Sequence, residues 1–200
     1  MKQTLSESVF TKIYGYVLSV GGALGLIAMT WQSSERIHML KNPGVALQCN
    51  LNPVVDCGSV LGNRLAALFG FPNAFLGMIF FAILATSGLV LLSGGTFKHW
   101  YRHVVLAVTL FLAGFSVWFF GVSLYSIGKI CIFCAVGWIV SVPIVWYGIR
   151  HYLQTAGPKL GAHGKRLLQW LTAHHIDVVV LTYALMLILF LTRFREYYFG

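Results

Sequence analysis

The chain has 200 residues, of which 58 % are hydrophobic and 10 % charged, and its mean hydropathy is +0.79. A soluble domain carries about 25 % charged residues, so this composition excludes a water-exposed globular fold and places the chain in a membrane. The net charge of +9 sits in short segments between apolar runs, which indicates contact with phospholipid headgroups and excludes a nucleic-acid role.

Met1 to Lys12 is polar, and Ile13 to Trp31 is an uncharged run long enough to cross the membrane as helix. It is too long for a signal-peptide core and no small-residue cleavage site follows, so the first span is expected to be retained. Gly15, Gly21, Gly22 and Gly25 within it permit close helix approach. Gln32 to Asn73 is the longest polar stretch and holds Cys49 and Cys57. Asn42-Pro43-Gly44 and Asn52-Pro53 read as turns. From Cys57 to Phe69 the apolar residues follow a helical period, and Asp56 stands at the N-cap. The reading is a short amphipathic helix at the membrane interface, ended by Gly70 and Pro72.

Three further spans follow at Phe75–Leu92, Val104–Tyr125 and Ile130–Ile149, and a fifth at Ile176–Thr192. Ser126 to Lys129 is so tight a turn that the third and fourth spans must be antiparallel neighbours. Pro143 predicts a kink in the fourth. Between the fourth and fifth lies a polar stretch, and His99, His103, His151, His163, His174 and His175 all fall in predicted inner loops with solvated or headgroup-facing roles. The expected architecture is all-α and a single membrane domain over 1–200. It has a four-helix transmembrane core at 13–150, a basic cytoplasmic loop at 151–175 and the fifth span at 176–193.

With the N-terminus inside, the inner segments hold Lys2, Lys12, Lys98, Arg102, Arg150, Lys159, Lys165 and Arg166, against Arg36, Lys41, Arg64, Lys129, Arg193 and Arg195 outside. Eight against six favours N-inside. Either way, two spans separate the first loop from the turn before the fourth span, so all four cysteines share one membrane face. With N-inside that face is the oxidising one.

The cysteines are paired as C-x7-C (Cys49, Cys57) and CxxC (Cys131, Cys134). Three chemistries are open: two structural disulfides, a four-thiolate zinc site, or a thiol–disulfide relay from a mobile outer pair to an inner pair fixed on a helix. Cys131 and Cys134 share one helix face, and Cys134 lies about 4.5 Å deeper toward lipid. A relay needs a terminal oxidant, and a lipid-soluble quinone could meet Cys134 there. Trp138, four residues on, and Asn73, at the head of the second span, are candidate donors to its carbonyls.

CNLNPVVDCG, then FGFPNAFLG at the head of a span, then CIFCAVGW at the head of a later one, resembles the vitamin K epoxide reductase family over about Gly15 to Arg150. The resemblance implies that Cys49 and Cys57 are the shuttle pair and Cys131 and Cys134 the active-site pair, with Cys134 beside the quinone and Cys57 exchanging with Cys131. It implies that Asn73 bonds a quinone carbonyl. Trp138 stands where animal members have a tyrosine, and Asn63 where a serine or threonine is common. Those departures fit a bacterial member using a menaquinone- or ubiquinone-class acceptor. Prokaryotic members resemble DsbB in role: in the bacterial cytoplasmic membrane they reoxidise a DsbA-like thioredoxin-fold protein, here expected as a separate chain. Two alternatives stand beside this reading: a thiol-driven quinone or quinone-epoxide reductase, and a non-catalytic membrane thiol or metal-holding protein.

Overall fold

A computed structural model of the chain describes residues 2–45, 47, 49–156, 161–198 and 200, and the side chains of 2–7 are not described. Lys159, counted above among the inner charges, lies outside the described residues. Among the described residues the chain is helical, and the only β features are two isolated bridges. Five helices are long and apolar enough to cross a membrane, which makes this a multi-pass membrane protein.

Helix α1 runs from Lys2 to Lys41 without a break. The first span is expected to end at Trp31; instead the helix continues through Gln32, because no Gly or Pro lies between Trp31 and Lys41 and a helix keeps its backbone bonded outside lipid as well. It stops at Asn42-Pro43-Gly44, where Asn42 N–H bonds the His38 carbonyl at 3.0 Å and Gly44 takes φ +90°. Helix α3 is Asn73–Leu92, α4 is His99–Gly121, α5 is Ile132–Ala156 and α6 is Ala162–Arg193. A short α7, Arg195–Tyr198, follows. Helix α1 packs against α3 and α5, α4 against α5 and α3, and α6 against α5. The α1–α3 contact is close enough that a Cβ on Gly22 would come within 2.6 Å of the Ala85 nitrogen.

Two expectations need correction. The basic loop predicted over 151–175 is mostly helix: α5 extends to Ala156 and α6 begins at Ala162, with its one non-helical residue at His174. Polar residues there suggest a loop, yet they sit on the ends of α5 and α6. His151, expected to be solvated, is buried inside α5 and stacks on Tyr14 with ring centroids 4.6 Å apart. Pro143 lies inside α5, which continues as helix on both sides.

The segment from Cys57 to Phe69 is divided where one helix was expected. Helix α2 covers Cys57–Gly62, and a 3-10 turn covers Arg64–Ala67. Asn63 breaks them apart with extended backbone, and its Oδ1 accepts from Leu65 N–H at 2.9 Å. Asp56 caps α2: its Oδ1 accepts from Ser59 N–H at 3.1 Å and its Oδ2 from the Ser59 hydroxyl at 2.5 Å. Burial pushes the Asp56 carboxyl up, but the Ser59 bonds, the Lys129 charge and the Gly58 N–H outweigh it and leave it below its ordinary value.

Gly22→Val should lower the thermal midpoint in detergent, since overpacking a tight contact costs about 1–3 kcal/mol. Gly114→Ala, where a Cβ meets nothing within 4 Å, is the control and should be neutral or slightly stabilising. Asp56→Ala should cost about 1 kcal/mol at neutral pH. Because the folded carboxyl is depressed, that contribution is complete above its unfolded value of about 3.9 and disappears as pH falls through the folded one. The stability gap between Asp56→Ala and the unsubstituted chain should therefore close on acidification.

Candidate active site

The first loop is built from side-chain-pinned turns. Asn52 Oδ1 accepts from the N–H groups of Val54 and Val55 at 2.9 and 2.8 Å, which folds the chain around Pro53. Leu51 N–H bonds the Val55 carbonyl at 2.9 Å, and Asn50 Oδ1 accepts from Gly58 N–H at 2.9 Å. These bonds bring Cys49 and Cys57 together, and the two are joined as a disulfide with their Cα atoms 5.7 Å apart. The loop is thus closed on itself, and its cysteines are buried: Cys57 is 0 % exposed and Cys49 7 %.

The same loop is strapped to the CxxC. Asp56 N–H donates to the Ile130 carbonyl at 3.0 Å, and Ile130 N–H donates to the Val54 carbonyl at 2.8 Å, forming a parallel bridge between Val55 and Ile130. Lys129 Nζ adds a bond to the Pro53 carbonyl. One residue after each end of this strap stand Cys57 and Cys131, both fully buried. All four cysteines and Trp138 belong to one apolar cluster with Val54, Ile130 and Leu124.

Cys131 and Cys134 are free thiols. Cys131 immediately precedes α5, so its sulfur faces the helix start. The adjacent Cys134 side chain favours its anion most; burial opposes, and the N–H groups of Cys134 and Phe133 add to the pull, so the Cys131 thiol is held below its ordinary value. Cys134 sits one turn inside the span and is also buried. Its thiol approaches Gln32 Oε1 of α1 at 3.7 Å.

Below Cys134 opens a narrow, largely apolar cleft between α1, α3, α4 and α5. Its walls include Phe80, Phe81, Phe111 and Phe115, and its polar groups are Asn73, Gln32, Ser116, Trp138 and Cys134 itself. The two residues predicted from sequence beside Cys134, Asn73 and Trp138, are therefore on the same cavity. Asn73 does more than line it. Its Nδ2 donates to the Leu65 carbonyl at 2.7 Å and its Oδ1 accepts from Leu68 N–H at 3.0 Å, so the side chain fixes the 3-10 turn over the cavity mouth. An amide has two donors and two acceptor sites, which leaves one of each for a ligand. Trp138 meets Phe120 edge-on at 5.1 Å. Apolar walls with a few polar groups are the kind of lining that could hydrogen-bond the carbonyls of a quinone.

Gln32 was missed because the apolar run ends at Trp31, which put it in a loop. The signal was its spacing: Met29, Gln32 and Ser33 fall on one helix face, and all three are buried.

The profile of the vitamin K epoxide reductase family matches residues 16–149. The matched stretch takes in all four cysteines, Asn73 and Trp138, and leaves out α6. No curated protein matches the chain. With more than half of its length matched, and with both cysteine pairs inside the match, the chain belongs to the vitamin K epoxide reductase family.

Proposed function

We propose that the protein is a membrane thiol oxidoreductase that reoxidises a separate DsbA-like thioredoxin-fold protein and delivers the electrons to a membrane quinone of the menaquinone or ubiquinone class. The observation that carries the reading is the strap between Asp56 and Ile130, which sets a disulfide beside a dithiol whose deeper sulfur opens on an apolar cavity. Family members use quinones in general, which supports the acceptor class. On this reading α1, α3, α4 and α5 form the four-helix bundle around the quinone, and the α2 segment lies amphipathically at the interface. The N-terminus is cytoplasmic, and the sulfurs face outward across a bacterial inner membrane.

The steps balance as follows. A partner thiolate attacks Cys49, the less buried sulfur of the loop pair; the second partner thiol resolves the mixed disulfide, leaving partner disulfide and two loop thiols. Cys57 thiolate then attacks Cys131 of an oxidised Cys131–Cys134 pair and releases Cys134. Cys49 attacks Cys57 in turn, restoring the loop disulfide and releasing Cys131. A depressed Cys131 thiol is a good leaving group for that release. A bound quinone supplies the sink for two electrons and two protons. Cys131 and Cys134 give up both as they close their disulfide, Asn73 and Trp138 offering N–H groups toward developing charge.

Family membership also favours a second reading, in which thiols drive reduction of a quinone epoxide through the same dithiol. Supplying epoxide with dithiothreitol and following quinone formation separates the two.

The principal test uses single cysteine variants of the full chain. Cys134→Ser should reduce quinone no faster than background and should trap Cys131 on Cys57, seen as a Cys57–Cys131 cross-linked peptide by mass spectrometry. Cys131→Ser should stall with reduced loop thiols or a partner adduct. Sustained turnover by Cys134→Ser with quinone as the sole oxidant would overturn the assignment.

A further inference from the structure

The polar contents of the cavity raise a question that the cysteine relay leaves unanswered. Gln32 lies in a transmembrane helix, is 5 % exposed, and reaches across to α5 to meet the Cys134 thiol. A primary amide buried in an apolar span is costly unless it is fully bonded. Its neighbour Ser33 solves that problem within its own helix, donating to the Met29 carbonyl at 2.8 Å. Gln32 instead spends its oxygen on a thiol at 3.7 Å, a long contact to a weak donor. A methionine or leucine would fill the same space against Met29 and Cys134 without that cost. The amide makes sense if its strong partner is transient.

We propose that Gln32 is a catalytic residue of the dithiol–quinone step, its amide switching from acceptor for the Cys134 thiol to donor for the Cys134 thiolate. The inference rests on the proposed quinone reaction. The switch needs no charge and little motion. The terminal torsion of a glutamine is broad and two-fold, so a half-turn exchanges Oε1 for Nε2 at the sulfur. While Cys134 is protonated, the oxygen accepts its proton. Once the proton leaves, an oxygen facing a thiolate would be repulsive, and the N–H faces it instead. The second N–H then points into the cavity that Gln32 lines together with Asn73, where a quinone oxygen gains charge. The amide itself is neither oxidised nor consumed. Overall two thiols and one quinone become one disulfide and one quinol, and the Cys134 proton ends on a quinol oxygen. Lysine or arginine at this place would hold the thiolate too firmly and burden the span with charge; glutamine stabilises it only while it exists.

The experiment compares the unsubstituted chain with Gln32→Met, which keeps the shape and removes the amide, and Gln32→Glu, which keeps the reach and reverses the donor. Purified full-length protein is assayed with dithiothreitol and a short-chain ubiquinone analogue. Independently, the rate at which iodoacetamide alkylates Cys134 is measured without quinone in a Cys131→Ser background. A hydrogen bond to an ionised group corresponds to roughly a ten- to hundredfold effect. Gln32→Met should lose about that factor in kcat with little change in KM, and Gln32→Glu should lose at least as much. Alkylation of Cys134 should slow by a similar factor in both. Reduction of the Cys49–Cys57 disulfide by dithiothreitol should proceed normally, showing that the variants are folded. Wild-type alkylation of Cys134 in Gln32→Met overturns the proposal. If the unsubstituted chain reduces no quinone, the oxidoreductase reading fails, and the alkylation comparison still decides the role of Gln32.

Discussion

Two backbone hydrogen bonds, from Asp56 to Ile130 and from Ile130 back to Val54, tie the disulfide loop to the start of the CxxC. Buried peptide groups must find partners, and where loop meets apolar core there is little water to supply them. The parallel bridge answers both demands for Val54, Asp56 and Ile130 at once. It also fixes a register. With Val55 opposite Ile130, Cys57 follows two residues along its segment and Cys131 one residue along its own. The turns of the first loop exist to present this short edge: Asn52 holds the bend, Asp56 starts α2, and Lys129 ties the far side to Pro53. The disulfide alone could not do this, since it joins the loop only to itself.

The same local geometry divides the CxxC into two chemically different thiols. Cys131 stands immediately before α5, where N–H groups converge and the loop disulfide is its neighbour. Cys134 is one turn deeper, where its neighbours are Gln32, Trp138 and the phenylalanine-walled cavity. A thiol that exchanges with another sulfur needs a stabilised anion and a sulfur nearby. A thiol that meets a lipid-soluble acceptor needs an apolar approach. Three residues of helix supply both.

The parts of this design that depend on residue spacing were legible in the sequence. The four cysteines, their common face, the Asp56 cap and the grouping of Asn73 and Trp138 near Cys134 all follow from periodicity, topology or motif. The parts that depend on where a helix stops were not. Hydropathy marks the lipid-compatible stretch, but α1 runs on to Lys41 and α6 starts at Ala162, because a helix keeps its backbone satisfied whether its side chains face lipid or water. That error alone hid Gln32 in a loop and His151 in solvent. Nor could spacing show that Asn73 serves two masters, bonding Leu65 and Leu68 while facing the cavity; both bonds depend on a break at Asn63 that interrupts an otherwise helical pattern.

The fifth helix lies beyond the family match, yet it is not a bystander to the site. Helix α4 ends in a π-turn, Val122–Ile127, that delivers the chain to Cys131 through Gly128 at φ +69°. A helix end leaves carbonyls without partners, and here they are met from several directions. The N–H groups of Gly128 and Lys129 bond the Ser123 carbonyl, and Arg193 at the end of α6 donates its Nε to the Leu124 carbonyl at 2.9 Å. Helix α6 is held for that task by Trp146 donating to Thr182 at 3.1 Å and by Tyr183 donating to the Ile139 carbonyl at 2.7 Å. The turn that leads into the CxxC is therefore fixed on one side by the disulfide loop and on the other by a helix outside the stretch that matches the family. Rigidity at Cys131 comes from both, because a turn of this kind has no sheet or helix ladder of its own to hold it.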